Sequence, residues 1–258
     1  TLAYDGRRGE FFAKQLLAAL KILQRGDTTA AQLKGSWAGA MGHTQFIPTS
    51  YELFAVDFTG DGKRDIWSND PSDALASTAA YLARSGWQKG MPWGVEVRLP
   101  QGFNRGLARR KTQKMPSDWA KLGVTDMQGR AVRDFGAASI LFPEGGRGLA
   151  LMIFEKNFRA IERYNAADAY VIGVGHLADR LKGAAPLIGN FAPGERPLRE
   201  DEIKELQRLL KNKGHALEKI DGKIGPNTKA QIKAYQSRNG LTADGYASEA
   251  LLEHIKRR

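Results

Sequence analysis

A fifteen-residue stretch, Gly183-Ala-Ala-Pro-Leu-Ile-Gly-Asn-Phe-Ala-Pro-Gly-Glu-Arg-Pro197, holds three prolines and three glycines, a density that no helix or central strand tolerates. It divides the 258-residue chain into residues 1–182 and residues 198–258, with residues 183–197 as linker. The first part is long enough for a sizeable core, the second for a small module only. Glu10 to Arg25 puts Phe12, Leu16, Leu20 and Leu23 on one helical face and stops at Gly26. Pro48 opens another helix, with Thr49-x-x-Glu52 reading as its capping box. Asp70-Pro71 reads as cap and first position of a third, running through Ala74, Leu75, Ala79 and Leu82 to Gly86. Between about Glu96 and Phe154 the texture becomes Gly-rich and β-branched, as in Gly148-Leu-Ala-Leu-Met-Ile-Phe154, which predicts a small sheet. A last helix spans about Ala167 to Leu181, so the class is mainly α, of the α+β kind.

The segment richest in chemistry is Gly35-Ser-Trp-Ala-Gly-Ala-Met-Gly-His-Thr-Gln-Phe-Ile-Pro-Thr-Ser-Tyr51. Its small residues Gly35, Ser36, Ala38, Gly39 and Ala40 let backbone approach a ligand closely, and Gln45 offers both donor and acceptor, a combination suited to a sugar. Trp37, Met41 and Phe46 are candidate lining for an apolar pocket or plain core. The loop Asp57-Phe-Thr-Gly-Asp-Gly-Lys63 follows at once. Asp57, Thr59 and Asp61 occupy positions 1, 3 and 5 of an EF-hand-like loop, Gly62 takes position 6, and Lys63 offers a carbonyl at position 7. Position 12 is Ser68 rather than Glu, so the closing carboxylate would be Asp73. A bound calcium ion and a metal-free Asx-rich turn are both open here, and Lys63 and Arg64 lower the local negative charge.

Composition narrows the classes. With no Cys there are no disulfides, thiolate metal sites or Cys nucleophile, and the four His share no metal spacing; His43 reads as a loop residue near the site. No apolar run is long enough for a signal peptide or a membrane span. A net charge of +11 predicts attraction to a polyanion: nucleic acid, anionic lipid or a carboxylate-rich cell wall. Arg98, Arg105, Arg109, Arg110, Lys111 and Lys114 fall in one acid-free stretch with only Phe103 as an aromatic, which argues against stacked bases and for no nucleic-acid partner.

The Gly35–Tyr51 segment resembles the signature of the membrane-bound lytic transglycosylase B family, whose members cut the peptidoglycan glycan strand. The pattern continues through Asp57 to Tyr81, Phe158-Arg-Ala-Ile-Glu-Arg-Tyr-Asn165 and Tyr170, covering residue 1 to about residue 182. The resemblance implies a lysozyme-like domain in which one Glu donates a proton to the leaving oxygen and then serves as base on the muramic acid 6-hydroxyl, giving a 1,6-anhydro product without water. A neutral Glu at pH 7 needs a raised pKa, which apolar burial supplies. It places Ser36 and Gln45 beside that Glu, lines the groove with Tyr81, Tyr164, Asn165 and Tyr170, and associates calcium with the Asp57 loop, no cofactor being required. The Glu itself lies, in the family, upstream of the segment that Thr1-Leu-Ala-Tyr-Asp-Gly-Arg-Arg-Gly-Glu-Phe-Phe12 resembles, so no catalytic residue is expected within this chain. The first residue is Thr rather than Met, consistent with a trimmed product; the missing part could be cleaved away or supplied as a separate chain. Beyond the linker, Asp221-Gly-Lys-Ile-Gly-Pro-Asn-Thr228 and Gly240-Leu-Thr-Ala-Asp-Gly245 form a weak internal repeat. With Tyr235-Gln-x-x-x-Gly-Leu they resemble the three-helix peptidoglycan-binding domain. The resemblance implies a periplasmic protein, outer-membrane associated when intact. A wall-binding protein without catalysis is the alternative function.

Overall fold

A computed structural model describes residues 2–4, 6, 8–143, 149–189, 198–241 and 243–258, so Gly148, Thr242 and the second half of the expected linker lie outside the described residues. The chain divides into two compact units, one of residues 1–90 with 159–164 and the other of residues 91–158 with 165–258. Among the described residues no helix is long and apolar enough to cross a membrane.

The first unit is helical. Helix α1, Gly9–Arg25, ends at Gly26 as expected, but the face it buries carries Gln15, Ala18 and Ile22. Leu16 and Leu20 of the expected face stand in solvent, 55% and 53% exposed. The reason lies in α2, Pro48–Phe54. Proline takes the first helical position, which moves Thr49 inside the helix and makes Ile47 the cap, so no capping box forms. Instead Gln15 Oε1 accepts both the Thr49 N–H and the Thr49 hydroxyl at 3.0 Å, and α1 turns the face bearing Gln15 inward. Glu52 pairs with Lys21 and Arg25 across the two helices. In α3, Ser72–Arg84, Pro71 is the cap rather than the first position, and Asp70 Oδ1 accepts the Ser72 N–H. The core between these elements gathers Ile22, Met41, Phe46, Tyr51, Ile66 and Ala74.

The second unit holds the expected sheet. Strands β1 (Gly94–Arg98), β2 (Thr125–Asp126), β3 (Ala138–Leu141) and β4 (Leu151–Phe154) lie in the order β2-β1-β4-β3, every neighbouring pair antiparallel. Leu151, Met152, Ile153 and Phe154 are all buried, so β4 is covered on both faces. The short helices α4 (Pro116–Lys121) and α5 (Glu155–Glu162) flank it, and fully buried Trp119 donates its indole N–H to Ala138 O at 2.9 Å. Helix α6, Asp168–Leu181, is fastened to the sheet by Trp93, whose indole donates to Asp179 at 2.7 Å. Glu96 of β1 accepts the backbone N–H groups of Ile188 and Gly189, which fixes the first half of the linker.

Residues 198–258 form three helices, α7 (Glu200–Asn212), α8 (Pro226–Arg238) and α9 (Glu249–Lys256), around Leu206, Leu210, Ile232, Tyr235, Leu251 and Ile255. The internal repeat is structural. Buried Gln207 of α7 donates to Asp221 Oδ1 and accepts the Gly222 N–H, and buried Gln236 of α8 does the same with Asp244 and Gly245. Each Asp-Gly turn is thus clasped by a helix glutamine whose polar atoms find partners within the core.

Candidate glycan-binding site and acidic loop

The Gly35–Tyr51 segment folds back on itself twice. Gly35 bridges to Met41 and Met41 to Phe46, so three short extended pieces lie side by side. The first reversal is tight: Ser36 N–H donates to Ala40 O and Gly39 N–H to Ser36 O, both at 2.8 Å, while Ser36 Oγ accepts the Ala40 N–H at 3.1 Å. At the second reversal Gln45 adopts φ 53°, and its Nε2 donates to Gly42 O at 2.9 Å. A left-handed conformation at a residue with a side chain is costly, and it persists where the surroundings hold it for a purpose. Ser36 and Gln45 flank the Met41 strand on opposite sides, roughly 10 Å apart by two strand spacings, and both are exposed. Gln45 keeps its amide oxygen and one amide proton without a partner among the described residues. Met41 and Phe46, each 3% exposed, are core and not pocket lining, whereas Trp37 is 87% exposed.

Tyr81 and Tyr164 support this segment from beneath. Their rings lie 4.8 Å apart, each 5.7 Å from Phe46. Tyr81 donates its hydroxyl to Arg163 O, and Tyr164 donates its own to Thr44 O. Both phenolic protons therefore hold backbone, and what each residue offers a ligand is the remaining ring surface. His43 is exposed, its Nε2 2.8 Å from Ser68 O, while its backbone N–H donates to Ile66 O. Of the six residues expected around a groove, Ser36, Gln45, Tyr81 and Tyr164 belong to the first unit and Asn165 and Tyr170 to the second. Asn165 Oδ1 accepts the Ala167 N–H just before α6, and Tyr170 is half-buried in the first turn of that helix.

The acidic loop is built around carboxylates. Asp57 accepts the N–H groups of Gly60 and Gly62, and Asp61 that of Lys63. Buried Asp73 of α3 accepts Phe58 and Thr59 N–H on Oδ1 and Asp65 N–H on Oδ2. One oxygen from each of Asp57, Asp61 and Asp73 lies within 4.8 Å of the others. Two bonds fill Oδ1 of Asp73, but Oδ2 retains a lone pair, so this all-oxygen, triply negative set fits a hard divalent cation. Ser68 takes no part: its hydroxyl donates to Asp70 O. Nor does Arg64 dilute the loop's charge. Its guanidinium donates to Asp27 Oδ2 at 2.6 Å and lies 4.9 Å over the Tyr51 ring, while Tyr51 donates its hydroxyl to Arg64 O. Burial opposes the Asp27 charge, yet the Arg64 hydrogen bonds and charge outweigh it and hold the carboxyl below its usual range. Burial and the nearby Asp27 charge push the Tyr51 phenol well above its usual value. Nothing in the motif spacing pointed to this cluster; the signal was one acid, Asp27, directly after the Gly26 helix stop.

With this geometry in place, the relatives are informative. The transglycosylase SLT domain model matches residues 1–179, and a peptidoglycan binding domain model matches residues 199–255. The chain belongs to the SLT transglycosylase family. Membrane-bound lytic murein transglycosylase B of Escherichia coli (strain K12) is 38% identical over 183 residues, 69% of this chain and 48% of that protein. The chain thus spans about half the length of that curated relative (48%). The crystal structure of SltB3 from Pseudomonas aeruginosa in complex with NAG-anhNAM-pentapeptide superposes with a TM-score of 0.87 at 50% identity, over 99% of this chain and 68% of that one. Escherichia coli Slt35 in complex with calcium gives a TM-score of 0.57 at 35% identity, over 70% of this chain and 57% of that one. The chain therefore has the mainly helical, lysozyme-like architecture with a small antiparallel sheet that its sequence implies.

Proposed function

We propose that residues 1–258 carry the glycan-holding part and the wall-binding module of a peptidoglycan lytic transglycosylase, which cleaves the MurNAc–GlcNAc β-1,4 bond and leaves 1,6-anhydromuramic acid ends. The observation that carries this reading is the doubly folded Gly35–Phe46 segment, which presents Ser36 and, on a left-handed backbone, a Gln45 amide that keeps its oxygen and one proton without a partner among the described residues. Its support is the 50% identity to SltB3, a protein seen in complex with NAG-anhNAM-pentapeptide. Tyr81 and Tyr164 position the segment and add ring surface. Asn165 and Tyr170 remain assigned to the groove by resemblance alone.

The reaction needs a neutral acid in an apolar setting. In the first unit Asp27, Asp57, Asp61, Asp65, Asp70, Asp73, Glu10 and Glu52 are not so placed, Asp61 and Asp70 each accepting a backbone N–H. Asp27 is ion-paired, Asp73 and Asp57 accept backbone N–H groups, Asp65 accepts those of Trp67 and Ser68, and Glu52 pairs with two cations. Glu10 sits in the exposed first turn of α1, where its charge suits the helix dipole. Proton transfer is assigned, on the family resemblance, to the glutamate on the helix expected upstream, and residues 1–258 to binding. Asp57, Asp61 and Asp73, with Thr59 and the Lys63 carbonyl, would hold a calcium ion that stiffens the loop and plays no chemical part. Residues 198–258 tether the enzyme to its substrate, and the compartment is the periplasm, with outer-membrane association in the intact protein. Sedimentation with purified sacculi tests the binding: the chain should pellet with sacculi and with peptide-free glycan strands, and duplex DNA should not displace it. Failure to pellet with either, or displacement by DNA, would contradict the reading.

A further inference from the structure

Of the five tryptophans, Trp93 and Trp119 are buried, Trp67 and Trp87 are half-buried, and Trp37 is 87% exposed. An indole ordinarily buries most of its surface. Core was within reach, since Met41 and Phe46 of the same segment are 3% exposed. The ring is nevertheless held out at the tip of the Ser36–Gly39 turn. That mount is rigid: three hydrogen bonds among Ser36, Gly39 and Ala40 close the turn, and the Gly35–Met41–Phe46 bridges anchor its base. The flanking residues Ala38, Gly39 and Ala40 are too small to shield the ring.

A pyranose presents a face of C–H bonds, which packs on a π surface, and a rim of hydroxyl and acetamido groups, which needs hydrogen-bond partners. Trp37 supplies the first surface. We propose that Trp37 is a stacking platform for one pyranose ring of the glycan strand. This inference rests on the glycan reading of the same site.

Titration of peptide-free glycan strands into the 258-residue chain tests it through tryptophan emission and iodide quenching. Saturation should shift the emission to the blue and remove the iodide-accessible fraction, because Trp37 is the one fully exposed indole. Trp37→Ala should weaken binding roughly ten-fold and abolish the blue shift, while Trp37→Phe should stay within about three-fold of wild type. Gln45→Ala should weaken binding but keep the blue shift. Strand binding by Trp37→Ala within two-fold of wild type would overturn the proposal and leave the glycan reading standing. So would wild-type emission and quenching that do not change at saturation, a result that needs no variant to fold. If wild type binds no strands at all, the glycan reading fails and the platform with it.

Discussion

Two glycines in the Gly35–Phe46 segment have left-handed backbones, and alanine at each should have very different consequences. Gly42 has φ 59° and Gly39 φ 86°, so alanine at either position costs roughly 1 kcal/mol in backbone strain. Gly39 has open space around it. A β-carbon on Gly42 would lie 2.5 Å from Ile66 O and 2.8 Å from Ile66 Cγ1. That carbonyl cannot give way freely, because it accepts the His43 N–H at 2.9 Å while Ile66 itself is fully buried. Relieving the overlap adds about 2 to 3 kcal/mol of overpacking. Gly42→Ala is therefore expected to lose about 3 to 4 kcal/mol and Gly39→Ala about 1 kcal/mol. Urea unfolding at 25 °C, followed by near-ultraviolet circular dichroism of the first unit's aromatic cluster, measures both. Equal losses within about 0.5 kcal/mol would refute the claim that the Gly42–Ile66 approach shapes the segment.

Asp27→Asn leaves Arg64 inside without its counter-ion; with side chains 5% and 19% exposed the loss should be about 2 to 3 kcal/mol. Because the folded carboxyl is held below its unfolded value of about 3.9, that difference should be constant from about pH 5 to 8 and vanish as pH falls through the depressed value. A pH-independent difference in urea midpoints would contradict it. In the C-terminal module, burial and then the Arg238 charge lower His215 against a weaker opposing bond from Gln231. A lowered folded value makes its contribution complete above the unfolded value of about 6.5 and lost as pH falls below it, so hydrogen-exchange protection factors in α7 and α8 should fall below about pH 6.5 in wild type and not in His215→Gln. Calcium at a hundred times its dissociation constant should stabilise the first unit by about 2.7 kcal/mol, with magnesium far less effective; Asp57→Asn with Asp61→Asn should abolish the shift in melting temperature.

Much of the helix plan was legible because its punctuation is local. Gly26 ends α1, Pro48 opens α2, and the Asp-Gly turns precede α8 and α9. Faces and caps were less legible, because long-range partners decide them. Leucine lies on several sides of α1, so periodicity admitted more than one apolar face, and the bonds from Thr49 to Gln15 selected the one without Leu16. The same bonds replaced the capping box expected within α2. Among the expected site residues, Ser36 and Gln45 were proposed from the small-residue spacing, the Gln45 amide and the family resemblance, and the Asp57 loop from its 1-3-5 pattern. The hydroxyl partners of Tyr81 and Tyr164 lie 82 and 120 residues away, a pairing that no local pattern encodes.

In the proposed division of labour, residues 1–258 hold the strand while a single upstream glutamate moves the proton. Mass spectrometry of muropeptides released from purified sacculi tests this most directly, comparing the 258-residue chain with the same chain extended through the upstream helix, and with that extended chain carrying Glu→Gln. 1,6-Anhydromuramic ends are expected from the extended chain alone. Anhydro products from residues 1–258 by themselves, or hydrated reducing ends from the extended chain, would contradict it.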